Sequence, residues 1–141
     1  MSVEENKALI YKIYDELNKG NHDVIDECFC DDFVSYRDDG NGDRKAFKQF
    51  LMYMDNGFPD IKRTIQDLIV TEDRAALYFI WTGTDNFKHQ GRTPTGKLIK
   101  VKEIYFIRFN EGKVSEYRHY SDAYGMGYQM GELIMAKDVN K

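Results

Sequence analysis

The chain predicts an α+β domain with helices first and an antiparallel meander second. Three observations carry that reading. Apolar residues recur at three- and four-residue steps through the first third of the sequence; after Pro59 the period changes to two; and turn signals at Glu72-Asp73, Pro94-Thr95-Gly96 and Glu111-Gly112 divide the remainder of the chain into strands. A run of helices followed by a run of strands places the helices on one side of a sheet. At 141 residues the chain is expected to form one domain over 1–141, since single cores usually occupy roughly 100 to 200 residues.

Each element has its own local signal. Ser2 and Glu5 have capping-box spacing, and Leu9, Ile10, Ile13, Tyr14 and Leu17 form an apolar stripe that stops at Gly20. Asp23 is placed to cap a short second helix with Val24, Ile25, Cys28 and Phe29 inward, and Phe33 to Tyr36 reads as a short strand. Residues 37–43 read as a turn-rich loop. Asp43 then caps a third helix with Phe47, Phe50, Leu51 and Met54 on one face, ended by Gly57. Residues 61–71 and 74–84 are expected to pair around a tight turn. Ala75, Leu77, Phe79 and Trp81 share one face, Ala76, Tyr78, Ile80 and Thr82 the other, and both faces are expected to be covered. A long strand over 98–110 turns into another over 113–121. The apolar, glycine-broken tail after Asp122 should pack as a cap or partner contact and end in a frayed polar terminus.

Composition narrows the function classes. Aromatic residues make up 14% of the chain, and so many rings must either fill a core or line a cavity. Residues 1–60 carry 7 basic against 14 acidic side chains, which argues against nucleic-acid backbone binding. The polar N-terminus lacks a signal core, and no apolar run reaches the ~20 residues of a membrane span, so a soluble, cytoplasmic protein is expected. Cys28 and Cys30 have neither CxxC spacing nor zinc-site partners, and they read as reduced thiols. The three histidines show no ligand spacing, the serines lack elbow glycines, and no phosphate-cradling loop is present. No metal or cofactor is therefore expected. The basic stretch from Lys88 through Arg92 and Lys97 to Lys102 reads as a solvated loop and strand edge, with an anion-binding role as the alternative.

Strand parity sorts the polar candidates. Glu103, Tyr105 and Ile107 share one face, as do Glu116, Arg118, Tyr120 and Asp122, whereas His119 has the opposite parity. If these two sets look into a concavity between sheet and helices, Glu103 and Arg118 are buried charges that must pair, and Asp122 becomes a carboxylate at the cavity mouth, suited to acid–base work. The alternative for Asp122 is a turn residue or helix cap.

Several short motifs, in order, carry a family resemblance. They are Tyr14-Asp15-Glu16-Leu17-Asn18-Lys19-Gly20-Asn21, Asp32-Phe33-Val34, Phe58-Pro59-Asp60, Gly83-Thr84 with Pro94-Thr95-Gly96, and Gly112-Lys113-Val114 leading to Glu116. The tail adds Asp122, Gly125, Met126, Gln129, Met130 and Gly131. Nearly the whole chain resembles the SnoaL-like polyketide cyclases, or ester cyclases, of the nuclear transport factor two-like (cystatin-like) superfamily. That resemblance implies a cone in which N-terminal helices pack on a strongly curved antiparallel or mixed sheet.

The resemblance further implies that Asp122 is the general acid/base of a cofactor-free cyclisation. Tyr14 matches the oxyanion-holding tyrosine of the related ketosteroid isomerases. Tyr36, Arg118 and Tyr105 depart from the family's usual histidine, tryptophan and aspartate, and Tyr36 falls where the isomerases carry their base, which disfavours steroid isomerisation. The expected site therefore has Asp122 and Tyr14 as catalytic residues, with Tyr36, Phe50, Trp81, Glu103, Tyr105, Arg118 and Tyr120 around a small, largely planar or cyclic ligand. A homodimer formed through the sheet face completes the expectation. The competing reading is a non-catalytic ligand-binding module, and a third is a protein-transport adaptor using its outer sheet face.

Overall fold

The computed structural model of the chain describes residues 1–37, 40–134 and 137. The tip of the 37–43 segment and most of the expected frayed terminus lie outside the described residues. The first helix, α1 (Val3–Asn18), begins with a complete capping box between Ser2 and Glu5, as its sequence predicts. Its buried stripe is Asn6, Ile10, Ile13, Tyr14 and Leu17. Asn6 belongs there because its amide donates to the carbonyls of Thr71 (3.0 Å) and Glu72 (2.9 Å), tying the helix to a sheet turn.

The short α2 (Val24–Cys28) comes next. Asp23 makes no side-chain cap bond to it, and its carboxylate is taken by Lys48 at 2.9 Å. Strand β1 (Phe29–Arg37) is longer than its sequence suggests, and residues 40–43 form β2 (Gly40–Asp43), paired antiparallel to β1, in place of the expected loop. Helix α3 (Arg44–Gly57) is capped by Asp43, whose carboxylate accepts from the Ala46 N–H at 2.8 Å.

The meander is β3 (Lys62–Val70), β4 (Arg74–Thr84), β5 (Leu98–Asn110) and β6 (Lys113–Ser121), and a seven-residue helix, α4 (Ala123–Gln129), follows it. The six strands lie in the order β2-β1-β6-β5-β4-β3. All neighbours are antiparallel except β1 and β6, so the sheet is mixed. The helices cover one face. Ala75, Leu77, Phe79 and Trp81 of β4 alternate with Ile99, Val101, Tyr105 and Ile107 of β5 beneath them, all buried. Phe29, Phe33, Phe47 and Tyr117 cluster with ring centroids 4.9 to 5.8 Å apart.

The other face departs from expectation. It is not covered: Phe106 and Tyr120 are exposed there, and Ala76, Tyr78 and Ile80 are half-buried. Among the described residues, only one side of the sheet has helices to pack against it.

The motifs behind the resemblance are packing and bonding devices. The Cβ of an alanine at Gly83 would sit 2.9 Å from the Phe58 Cβ, so only glycine lets that ring lie against β4. Asp60 accepts from the Thr84 N–H at 2.7 Å and hydroxyl at 2.6 Å, pinning the end of β4 to the turn after α3. Thr95 donates through both its N–H and hydroxyl to Asp85. Asp85 is fully enclosed and is clamped by Arg92 at 2.7 and 2.8 Å. Arg92 is thus an internal tie, not part of a solvated basic edge. The same guanidinium also donates to the carbonyl of Met130 at 2.9 Å and fastens the segment after α4 to the β4–β5 connection.

Candidate active site

Between the helices and the inner sheet face lies a cavity of about 240 Å³. Its walls are aromatic and aliphatic, drawn from α1 (Tyr14), α3 (Phe50), β4 (Phe79, Trp81) and β5 (Val101, Tyr105). Three polar groups stand among them: Arg63 of β3, Glu103 of β5 and His119 of β6. Ser121 and Met126 mark the rim below α4.

Glu103 and His119 are hydrogen-bonded through Glu103 Oε1 and His119 Nε2. Their side chains are only 10% and 9% exposed, and the His119 ring packs 4.4 Å from that of Tyr105. A carboxylate holding one imidazole nitrogen fixes the ring's orientation and leaves the other nitrogen for a ligand. The pair thus places a carboxylate and an imidazole side by side in a largely aromatic and aliphatic enclosure, the arrangement that acid–base work requires. Burial pushes the hydroxyls of Tyr14, Tyr105 and Tyr117 well above the ordinary tyrosine value, so they remain protonated donors at neutral pH. In Tyr14 the nearby Tyr117 hydroxyl partly opposes that rise.

The register of β6 explains why His119, and not its neighbours, faces the cavity. Val114 pairs with Phe109, but Glu116 pairs with Arg108, which leaves Ser115 as an extra residue in β6. That bulge shifts the alternation. Tyr117 and His119 therefore face inward with Ile107 and Tyr105 opposite, while Glu116, Arg118 and Tyr120 face outward. Counting in twos along β6 groups Arg118 and Tyr120 with the cavity; the bulge puts them on the other side of the sheet.

The sequence candidates accordingly divide. Tyr14, Phe50, Trp81, Glu103 and Tyr105 line the cavity. Tyr36 and Arg118 meet on the outer face, the guanidinium carbon 4.5 Å above the ring, and Tyr120 is exposed beside them. Arg118 reaches Glu116 at 3.0 Å rather than Glu103. Asp122 follows the last inward residue, Ser121, and is exposed; its carboxylate accepts from the Gly125 N–H at 2.9 Å and caps α4.

Two functional groups are invisible to sequence reasoning. Parity alone turns His119 away from the cavity, and only the bulge reverses that. Arg63 carries no signal: it lies in β3 between Lys62 and Thr64, and its guanidinium is buried by a bidentate bond to Asp55 at 2.7 and 3.3 Å. Asp55 in turn receives His22 at 2.8 Å. Among the described residues no group of three or more His, Cys, Asp or Glu is arranged to hold a metal ion. No helix among them is long and apolar enough to cross a membrane.

The tail has a clear mechanical role. Beyond Ser121, β5 loses its β6 partner, and Gln129 of α4 takes over: its amide accepts from the Lys100 N–H at 2.8 Å and donates to the Lys100 carbonyl at 2.7 Å. With Asp122 capping its start, α4 is held at the cavity rim.

Comparison with known proteins agrees with this architecture. AclR from Streptomyces galilaeus, named as a candidate hydroxylase, superposes with a TM-score of 0.87 at 25% identity, covering 95% of this chain and 89% of its own. A candidate SnoaL-like polyketide cyclase from Jannaschia sp. CCS1 gives 0.82 at 19% identity, covering 93% and 94%. IdmH from Streptomyces antibioticus, a candidate polyketide cyclase, gives 0.78 at 24% identity, covering 89% and 97%. No curated protein matches the chain. The family model for the SnoaL-like polyketide cyclases matches residues 8–130, from the first turns of α1 to the end of α4, and the chain belongs to that family.

Proposed function

We propose that the chain binds a small cyclic organic molecule in the inner cavity and moves a proton on it through the Glu103–His119 pair, in a cyclisation or isomerisation. The carrying observation is that pair itself, an acid–base unit with both side chains about nine-tenths enclosed by aromatic walls. His119 takes a proton from carbon next to a carbonyl, Glu103 stabilises the imidazolium, and Tyr14 donates to the developing enolate oxygen. Asp122 as the general acid/base, which the family resemblance implies, is the competing assignment within the same reaction.

A second reading, a binding module without chemistry, is favoured by the use of the Asp122 carboxylate as a helix cap. The exposed apolar residues of the outer face, Ile104, Phe106 and Tyr120, support a homodimer formed there. The net charge of −4 supports a protein that leaves nucleic acids alone.

One experiment separates the readings. Deuterium exchange at the α-carbon of cyclohexanone in heavy water is followed by NMR with the wild type and with Glu103→Gln, His119→Gln and Asp122→Asn. The expected outcome is accelerated exchange that drops about 10²-fold or more in the first two variants and persists in the third. Loss in Asp122→Asn alone would transfer the role to Asp122, and no acceleration by the wild type would leave the binding module.

A further inference from the structure

We infer that Arg63 is the specificity-determining residue of the cavity and that it selects a one- or two-ring ligand carrying an ionisable oxygen, a phenol or enol. The inference rests on the proposed reading of the cavity as a small-molecule site and adds what that molecule must look like.

Size comes first. An apolar cavity of ~150 Å³ holds benzene; one of about 240 Å³ has room for one ring with substituents or two fused rings. The walls are flat aromatic faces, with Tyr14 and Phe79 ring centroids 5.1 Å apart and Phe79 and Tyr105 5.4 Å apart, which suits a planar guest.

Polarity comes second. Taking a guanidinium out of water costs several kcal/mol unless its donors are used. Arg63 is 6% exposed, and Asp55 takes only two of its five N–H bonds, along one edge. Asp55 cannot give more, because it also receives His22. The remaining edge belongs to a residue that lines the cavity wall. Tyr117, 1% exposed on the same cavity wall, turns its hydroxyl toward Tyr14, so the spare donors on this wall are those of Arg63.

The guanidinium donates, and the acceptor for its remaining N–H groups is an oxygen on the guest. A fully charged carboxylate suits the site less, since Asp55 already neutralises Arg63 and Glu103 stands in the same cavity. A weakly acidic oxygen enters neutral, accepts from the Arg63 guanidinium, and releases its proton to solvent more readily there because the guanidinium favours the phenolate. An oxygen anchored on Arg63 also leaves the rest of the ring to reach Glu103 and His119.

The test uses 4-nitrophenol and 4-nitrotoluene, which share a ring and differ by hydroxyl against methyl. Affinities are measured calorimetrically on the whole chain, and the visible band of the phenolate reports the proton on the bound phenol. Wild type should bind the phenol about tenfold tighter and ionise it more readily than water does. In Arg63→Met the preference should collapse to about one and the bound phenol should resist ionisation. Because that variant leaves Asp55 unpaired, the double variant Arg63→Met/Asp55→Asn is measured beside it, with circular dichroism to confirm folding.

Equal binding of both probes by the wild type overturns the inference while leaving the cavity a ligand site. Retention of the preference in the folded double variant overturns it as well, and makes Arg63 a structural tie between β3 and α3. Binding of neither probe overturns the reading of the cavity, and the inference with it.

Discussion

Asp85 and Glu103 are both enclosed carboxylates with a cationic partner, and they are surrounded in opposite ways. Asp85 receives two bonds from Arg92, two from Thr95 and one from the Phe87 N–H, and Arg92 spends its remaining donors on the Phe87 and Met130 carbonyls and on Glu132. Glu103 engages His119 through one oxygen and otherwise faces a cavity. The Asp85 group has little bonding capacity left for a ligand, whereas the Glu103 pair keeps a ring nitrogen and an oxygen available. Saturation marks the tie that holds the fold, and spare capacity marks the place where chemistry can occur.

The largest effect should come from breaking the saturated group. Asp85→Ala leaves Arg92 without the enclosed carboxylate that takes two of its donors, and removing one member of a buried pair costs about 3–5 kcal/mol. Urea unfolding should show that loss, together with release of the tail around Met130. Burial pushes the Asp85 carboxyl upward, but the bonds from Arg92 and then Thr95 outweigh it and hold it well below the usual carboxylate range. Its contribution to stability is therefore complete above the ordinary carboxylate value, declines as pH drops beneath that value, and is gone once pH passes below the folded one. An acid-unfolding curve of Asp85→Asn should be flatter than that of the wild type in this window. Identical curves would mean that other carboxylates govern acid unfolding.

A smaller effect is expected where α3 meets the connection after β4. A Cβ on Gly57 would fall 2.2 Å from the Phe87 ring. Phe87 is sandwiched by Phe58 at 6.1 Å and Tyr53 at 5.1 Å, so it has little room to retreat. Gly57→Ala should cost about 1–3 kcal/mol through overpacking. Gly91→Ala is the matched control: nothing lies within 4 Å of its added Cβ, but its φ of 77° carries the strain of a left-handed backbone. Gly57 has no such strain, so a negligible loss in Gly57→Ala would mean that the Phe87 ring retreats from the added methyl.

How much of this could be seen in the sequence depends on the range of the interaction. The capping box at Ser2, the cap at Asp43 and the 98–110 strand rest on residues within a turn or on a strict period of two, and all are present. Asp23 has the same residue type as Asp43, yet Lys48 on another helix takes its carboxylate. The β1–β2 hairpin is hidden because Gly40, Asn41 and Gly42 have poor strand propensity and are held by pairing with β1 alone. In the site, five cavity residues follow from side-chain type and alternation. Arg118 and Tyr120 are misplaced by a count of two because one bulged residue, Ser115, reverses the parity of everything after it. No local pattern announces such a bulge, since it exists only relative to the partner strand. Asp55 and Arg63 meet across the turn between α3 and β3, which a one-dimensional reading cannot close.

A modest effect separates the helix-cap role of Asp122 from a catalytic one. Asp122→Ala removes the oxygen that accepts from Gly125 and should cost about 1 kcal/mol. Asp122→Asn keeps a capping oxygen and should restore most of it. Gly125→Ala attacks the same cap from the other side, because the added Cβ would sit 2.2 Å from Asp122 Oδ2. If Asp122 serves only to hold α4 at the rim, the Ala variants at 122 and 125 should weaken ligand retention in parallel, with Asn at 122 close to wild type.

The smallest change in stability is expected at Glu103, and this is where the comparison with Asp85 is most exposed to refutation. Glu103→Gln keeps the shape and an oxygen that can accept from His119, and it removes a buried charge whose desolvation a single partner only partly offsets. The net change should stay within about 1 kcal/mol, in either direction. In Asp85→Asn, by contrast, five bonds are weakened together. Parallel urea curves of the two amide variants decide the matter. If Glu103→Gln unfolds as early as Asp85→Asn, the Glu103–His119 pair is a second structural tie, and its spare nitrogen and oxygen are no guide to function. If it unfolds near the wild type while losing exchange activity, one buried pair serves the fold and the other the chemistry.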